Sequence, residues 1–457
     1  MELKEKLFYK RETGFKKVWD QLDAMEEFSV GYKKYLDAAK TEREAVTETI
    51  RIAENAGFKP FDKAKKYSCG DKYYVNNRNK SIALVVVGKK DASYGVRIGA
   101  AHIDSPRLDL KPNPLYEDLD LALLKTHYYG GIKKYQWTAI PLALHGVFVK
   151  KDGTTINVSI GEAEDEPCFV VTDLLPHLSQ EQNKRPLNEG IKGEELNVLI
   201  GSRPFNCDDE SEMVKLNILN ILFEKYGVCE EDFLSAELEV VPAFKAKDVG
   251  LDRSLIGAYG HDDRVCAYPC IKAVENLIAP ERTAICLLAD KEEIGSVGAT
   301  GLDSDFLRHL ISDLARNQGV EPDDALRASQ CLSADVNAAI DPTFQDAFEK
   351  KNGSFINQGV VITKYTGARG KSGANDASAE YMAQIRAMLD EANIVWQVGE
   401  LGRVDLGGGG TVALYVAGLG IDTVDVGVPV LSMHAPYETV SKLDVFMTFR
   451  TMQEFFK

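Results

Sequence analysis

At five places along this chain a short apolar run gives way to histidine or acidic residues. They are Gly99-Ala-Ala-His102-Ile-Asp104, Tyr259-Gly-His261-Asp262-Asp263-Arg264, Leu287-Leu-Ala-Asp290-Lys-Glu292-Glu293, Ser333-Ala-Asp335-Val-Asn337 and Val428-Pro-Val-Leu-Ser-Met433-His434. Runs such as Ile82-Ala-Leu-Val-Val-Val87 and Ala284-Ile-Cys-Leu-Leu-Ala289 are continuously apolar and β-branched, which reads as strands buried on both faces. Helical periodicity alternates with them over 265–278, 304–317, 375–391 and 439–456, after two helical stretches within 17–57 that stop at Gly57. The alternation predicts an α/β fold, a mixed sheet covered by helices on both faces. In open sheets of this kind ligands bind beyond the carboxyl ends of the strands, so the polar residues collected there are the candidate site.

The stretch 107–244 breaks the alternation. It opens with Pro106, Pro112 and Pro114, carries Tyr128-Tyr-Gly-Gly131, and has strand-like pieces at 139–149, 154–160 and 195–200. It reads as a β-rich unit inserted into an α/β domain made of 1–106 and 245–457. At 457 residues the chain is long enough for two such domains.

Net charge is −16, which argues against a nucleic-acid backbone or an anionic membrane surface as partner. The N-terminus MELKEKLFYKRETG lacks the apolar core of a secretory signal, and no run of about 18 apolar residues occurs. The eight cysteines are scattered without a CxxC, and Cys266 and Cys270 read as buried thiols on one helix. A cytoplasmic, disulfide-free protein is expected.

Each strand-end motif alone has an ordinary structural reading: a core histidine, a helix N-terminal turn, a solvated loop. Together they supply, in order, His, Asp, Glu-Glu, Asp and His. Such a mixed nitrogen and oxygen set suits two divalent ions, zinc first, with cobalt or manganese also fitting. One histidine per ion, one bridging carboxylate and a spare glutamate as general base would activate water, so hydrolysis is the expected reaction. Adjacent Glu292 and Glu293 cannot both enter one pocket from a regular strand, so the chain must turn there, with Gly295, Gly298 and Gly301 permitting it.

The motifs AHIDSP, GHDDR, DKEEIGS, SADVN and VPVLSMHAP, in this order, resemble those of the aspartyl aminopeptidase and aminopeptidase I family of two-metal peptidases, from about residue 10 to the C-terminus. The glycine run 407–410 before Thr411 matches the family's Gly-Thr turn. The resemblance implies that His102 and His434 each bind one metal, Asp262 bridges both, and Glu293 and Asp335 complete the two sites. It makes Glu292 the general base and Asp104 the residue that orients His102. It implies removal of N-terminal residues from peptides, with acidic and neutral preferences both open. It also makes 107–244 a dimerisation domain, in an assembly that reaches a tetrahedral dodecamer. His177, in Pro176-His177-Leu178, is the match for a histidine that reaches a neighbouring subunit's substrate. Arg369 and Lys371 lie in a substrate-proximal loop. The bridging segment reads Asp262-Asp263 where the aspartyl branch has Asp-Asn, as in the related tetrahedral aminopeptidases. A two-metal deacylase acting on a non-peptide amide and a non-catalytic shell-forming protein are the alternative readings.

Overall fold

Nine strands form the central sheet of the larger of two units, in the order Lys59–Pro60, Lys72–Asn77, Ser81–Val86, Ala284–Ala289, Arg97–His102, Gln330–Ser333, Asp422–Gly427, Val360–Thr363 and Trp396–Val398. The computed structural model describes the chain apart from residues 1, 9, 10, 12 and 207–210, so Cys207 lies outside the described residues. This unit comprises 1–104, 246–433 and 438–457. The four middle strands, from Ala284–Ala289 to Asp422–Gly427, are mutually parallel, and antiparallel strands flank them on both sides. Parallel alignment brings the carboxyl ends of Ala284–Ala289, Arg97–His102 and Gln330–Ser333 to one edge, which positions the candidate site.

Strand periodicity of two divides the core into two layers. Ile82, Leu84 and Val86 pack with the helices Leu22–Ala38, Glu42–Asn55, His261–Glu275 and Lys442–Phe456. Ala83 and Val85 face the opposite layer, with Phe306–Gln318 and Pro322–Ala328. This is why the runs read as apolar without alternation: both faces are covered. Gly99 is needed at the centre, because a Cβ there would lie 2.8 Å from the Phe456 ring and 3.2 Å from Cys270 Sγ. Helix Glu42–Asn55 starts at a capping box, with Thr41 accepting from the Glu44 amide and Glu44 reaching back to the Thr41 amide. A second sheet of this unit, five-stranded, was not anticipated; it joins the short strands Lys247–Val249, Leu255–Ala258, Glu438–Ser441, Pro429–Leu431 and Asn337–Ala338. Its two- to four-residue strands are too short to leave a periodic signal.

The second unit comprises 105–245 together with 434–437. Its seven-stranded sheet is antiparallel throughout. Two of its longest strands, Arg107–Asp118 and Leu121–Tyr129, are not among the strand-like pieces that the sequence marks. The pairing of these strands shifts register between Leu110 and Leu115, and Pro112 and Pro114 fall inside that irregularity, where no ladder donor is needed.

Seven cysteines are described, and all are free thiols; Cys266 and Cys270 are buried. Among the described residues no helix is long and apolar enough to cross a membrane.

Candidate active site

The strand Arg97–His102 delivers a buried histidine to the sheet edge, and three carboxylate-bearing segments converge on it. His102 Nε2 lies 3.0 Å from Asp262 Oδ1, and its Nδ1 lies 3.0 Å from the Asp104 carbonyl and 3.3 Å from Asp104 Oδ1. The backbone amide of His102 donates to Asp263 Oδ2 at 3.2 Å. Neighbouring carboxylates can both face His102 because the chain is not helical at Asp262 (φ −79°, ψ 105°) or Asp263 (φ −119°, ψ 25°), although helix His261–Glu275 continues beyond them. The Asp262 amide donates to Glu438 Oε2 at 3.1 Å.

The glutamate pair sits on a single 3-10 turn, Glu292–Ile294. Lys291 enters it in the left-handed region (φ 68°) and Gly295 leaves it at φ 98°. Asp104 fastens this turn. Its Oδ1 accepts the Glu292 amide and its Oδ2 accepts the Glu293 amide, each at 3.1 Å. Asp290 closes the loop behind it by accepting the Thr300 hydroxyl at 2.6 Å, and Tyr415 donates its hydroxyl to the Gly295 carbonyl at 2.8 Å.

Two overlapping donor sets result. One ligand atom each from His102, Asp262 and Glu293 lie within 4.8 Å of one another, and so do atoms of His102, Asp263 and Asp335. Burial and neighbouring negative charge both work against the carboxylate form in this cluster. Burial pushes the Asp335 carboxyl well above its ordinary range, reinforced by the charges of Glu292 and Asp263. Asp263 is raised well above its range by burial, with Asp262 adding to it and His102 opposing. Burial works against the His102 cation, yet Asp104, Asp262 and Glu292 overcome it and raise its pKa well above the usual value. Asp335 Oδ2 is buried with no hydrogen-bond partner among the described residues. One imidazole and several hard oxygen donors, one of them orphaned, fit a divalent metal of zinc type.

His434, His177, Arg369 and Lys371 are the remaining sequence-derived candidates. His434 lies in the 434–437 segment, which groups with 105–245. Its Nδ1 donates to the Gly131 carbonyl at 2.8 Å. His177 is exposed in the same unit. Arg369 is exposed, and Lys371 is held by Asp376 Oδ2 at 2.8 Å and by the Tyr365 ring, 3.8 Å from its centroid. The sequence reading missed Asp263 as a donor to this cluster, as well as Glu438 and Tyr415. The Asp262-Asp263 doublet was the available signal for the first; nothing local marks the other two.

Comparison with known proteins shows the family. Residues 35–456 match the family model described as aminopeptidase I zinc metalloprotease (M18). A relative from Clostridium acetobutylicum, named probable M18 family aminopeptidase 1, is 48% identical over 447 residues, covering 95% of this chain and 96% of that protein. The crystal structure of an M18 family aminopeptidase from Thermotoga maritima superposes with a TM-score of 0.94 at 44% identity, covering 98% of this chain and all of that one. Aminopeptidase I from Clostridium acetobutylicum gives a TM-score of 0.93 at 45% identity, covering 99% of this chain and 100% of that one. These relatives lend no support to the deacylase or shell-protein alternatives. The chain belongs to the M18 family of aminopeptidase I zinc metalloproteases and is a metalloaminopeptidase.

Proposed function

We propose that this aminopeptidase holds two divalent ions, zinc first, and that Glu292 is the general base for hydrolysis of the N-terminal peptide bond. The observation that carries the reading is the pair of donor sets meeting at His102. His102, Asp262, Glu293 and Asp335 would hold the ions, with Asp262 shared and His434 supplying the second imidazole. When bound, such a pair lowers the pKa of water and polarises the scissile carbonyl. Glu292 lies outside both donor sets, with Oε2 3.9 Å from His102 Nε2, and its side chain remains partly exposed. It would take the proton of the attacking water and return it to the leaving amine. Asp104 positions both glutamates through their amides and orients His102.

Metal analysis of the purified protein after dialysis against excess zinc is expected to give two ions per chain. Chelation should abolish hydrolysis of aminoacyl anilides and lower the Tm, since a ligand bound only to the folded state stabilises it. A saturated stoichiometry of one, or activity that survives chelation, contradicts the reading. Zinc, cobalt and manganese added back in turn identify the preferred ion.

We further infer that the inserted unit serves self-association. Its helix Met213–Tyr226 is apolar on most sides yet fully buries only Val214, and it exposes Leu216, Ile221 and Phe223. A second copy of the chain is the occupant that would cover this face, and the exposed His177 is the residue carried toward a neighbour's substrate. Light scattering at micromolar concentration should give a mass that is a multiple of 50.5 kDa, and a 50.5 kDa species there would overturn the inference.

A further inference from the structure

The loop that carries the glutamate pair is held at its base by a second charge cluster, distinct from the donor sets at His102. Strand Ser81–Val86 pairs antiparallel with Ala284–Ala289, and Ile82 stands opposite Leu288. That register, continued by two residues, sets Lys80 opposite Asp290, where the loop leaves its strand. The Lys80 ammonium lies 3.0 Å from Glu42 Oε1 and 3.9 Å from Asp290 Oδ2. Glu42 and Asp290 are buried, and the Lys80 side chain is only 15% exposed. The hairpin tip that presents Lys80 is tight. Arg78 and Asn79 are both left-handed (φ 60° and 57°), and the Lys80 amide donates to the Asn77 carbonyl at 3.2 Å. Glu42 is fixed as the first helical residue after the Thr41 cap.

Two acids share this one ammonium in a buried place. Burial first, and the Glu42 charge next, hold the Asp290 carboxyl above its ordinary range; Lys80 pulls it back, and Asp104 adds to the rise. Removing one partner of a buried ion pair leaves the other charge uncompensated, so without Lys80 the Asp290 carboxylate must take up a proton or turn away. Asp290 is also where the loop is closed. The same oxygen that faces Lys80 accepts the Thr300 hydroxyl at 2.6 Å, and the Asp290 amide donates to the Thr300 carbonyl at 3.3 Å. The hairpin grips the returning chain one residue earlier, where Asn77 Nδ2 donates to the Ala299 carbonyl at 3.0 Å. Between these two holds the loop meets water, with Ile294 and Val297 exposed. Glu292 stands two positions from Asp290.

We propose that Lys80 is a positioning residue for hydrolysis: by pairing with Asp290 it fixes the base of the 290–301 loop, and with it the reach of Glu292 toward the attacking water. The inference rests on the reading of Glu292 as general base. Asp104 holds the amides of the glutamate turn itself, and Lys80 holds the point from which that turn departs. A misplacement of about 1 Å, from a change far from the reacting atoms, costs on the order of 10²-fold in rate. A loop loosened at its base therefore loses turnover although Glu292 and Glu293 are both intact.

The test compares Lys80→Met, Lys80→Arg, Asp290→Asn and the double variant Lys80→Met/Asp290→Asn in the full-length enzyme. Hydrolysis of leucine anilide is measured at saturating zinc, which removes from kcat any weakening of metal binding through Glu293. Lys80→Met should lose about 10- to 100-fold in kcat, with KM changed by no more than about 2-fold, the split expected when positioning and not substrate binding is lost. Lys80→Arg keeps the charge and should retain most of kcat. Asp290→Asn should lower kcat as Lys80→Met does, and the double variant should fall no further than the lower single variant, because both act through one contact. Hydrogen exchange read by mass spectrometry, with and without zinc, should be faster across 290–301 in Lys80→Met and unaltered across Asp422–Gly427. If Lys80→Met does not fold, Lys80→Met/Glu42→Gln, which removes the ammonium together with one of its two acids, takes its place and should show the same losses. Unchanged kcat or unchanged exchange across 290–301, an equal loss in Lys80→Arg and Lys80→Met, or losses that multiply in the double variant overturn the proposal. Glu292→Gln measured alongside separates the two readings. Near-normal kcat there strikes the general-base assignment, while the exchange of Lys80→Met still decides whether Lys80 holds the loop.

Discussion

Glu292→Gln is expected to lower kcat by about 10²–10⁴-fold while the purified protein keeps its full metal complement. The two glutamates of the 292–294 turn have separable positions. A Glu293 oxygen falls within 4.8 Å of ligand atoms of His102 and Asp262, and no Glu292 oxygen joins either donor set. Yet both amides are held by the same carboxylate, Asp104, so neither residue can drift without the other. Glutamine preserves the length and hydrogen-bonding reach of Glu292 but cannot accept a proton at neutral pH. The counterpart, Glu293→Gln, removes a charged donor and should weaken one ion, so that added metal partly restores its turnover. Metal stoichiometry and kcat measured for both variants side by side decide the matter. Near-normal kcat in Glu292→Gln, or rescue of that variant by added metal, would mean that the two roles are exchanged.

The turn that carries these two residues was legible in the sequence because its cause is local: a carboxylate doublet soon after an apolar strand forces the chain to turn. His102 with Asp104, and Asp335 after its strand, were legible for the same reason. Other parts of the site depend on contacts between distant segments. The Asp263 carboxylate meets the His102 amide across 161 positions, and Glu438 meets the Asp262 amide across 176. No periodicity or spacing encodes such an encounter. Arg369 and Lys371 had equal standing as loop cations, and the fold separates them, since Asp376 and the Tyr365 ring engage only Lys371. In the fold, the strands covered on both faces stood out as apolar runs, whereas Arg107–Asp118 was disguised by prolines that a register shift accommodates.

Asp104→Asn should damage both metal binding and catalysis, and the two effects should separate at saturating metal. Asp104 is fully buried and acts through three contacts at once. Each carboxylate oxygen accepts one amide, from Glu292 and from Glu293, while Oδ1 also lies 3.3 Å from His102 Nδ1. Asparagine has one acceptor oxygen. Its amide group must point at one of the two backbone N–H groups, leaving a buried donor facing a donor, at a cost of about 1–3 kcal/mol. The turn therefore shifts, and with it the reach of Glu292. Loss of the negative charge beside Nδ1 also makes His102 a weaker donor, and loss of a carboxylate partner behind a metal-bound histidine typically costs 10–100-fold in metal affinity or activity. Metal titration of the variant should accordingly need about 10–100-fold more zinc for half-maximal activity. At saturation kcat should stay depressed by about 10-fold or more, because added metal restores occupancy but not the position of the general base. Glu292→Gln, by contrast, should show an unshifted metal titration with a lower plateau. If saturating metal returns Asp104→Asn to the unsubstituted kcat, Asp104 serves His102 alone and its grip on the glutamate turn is catalytically idle. If neither the titration nor the plateau moves, its three contacts contribute to folding only.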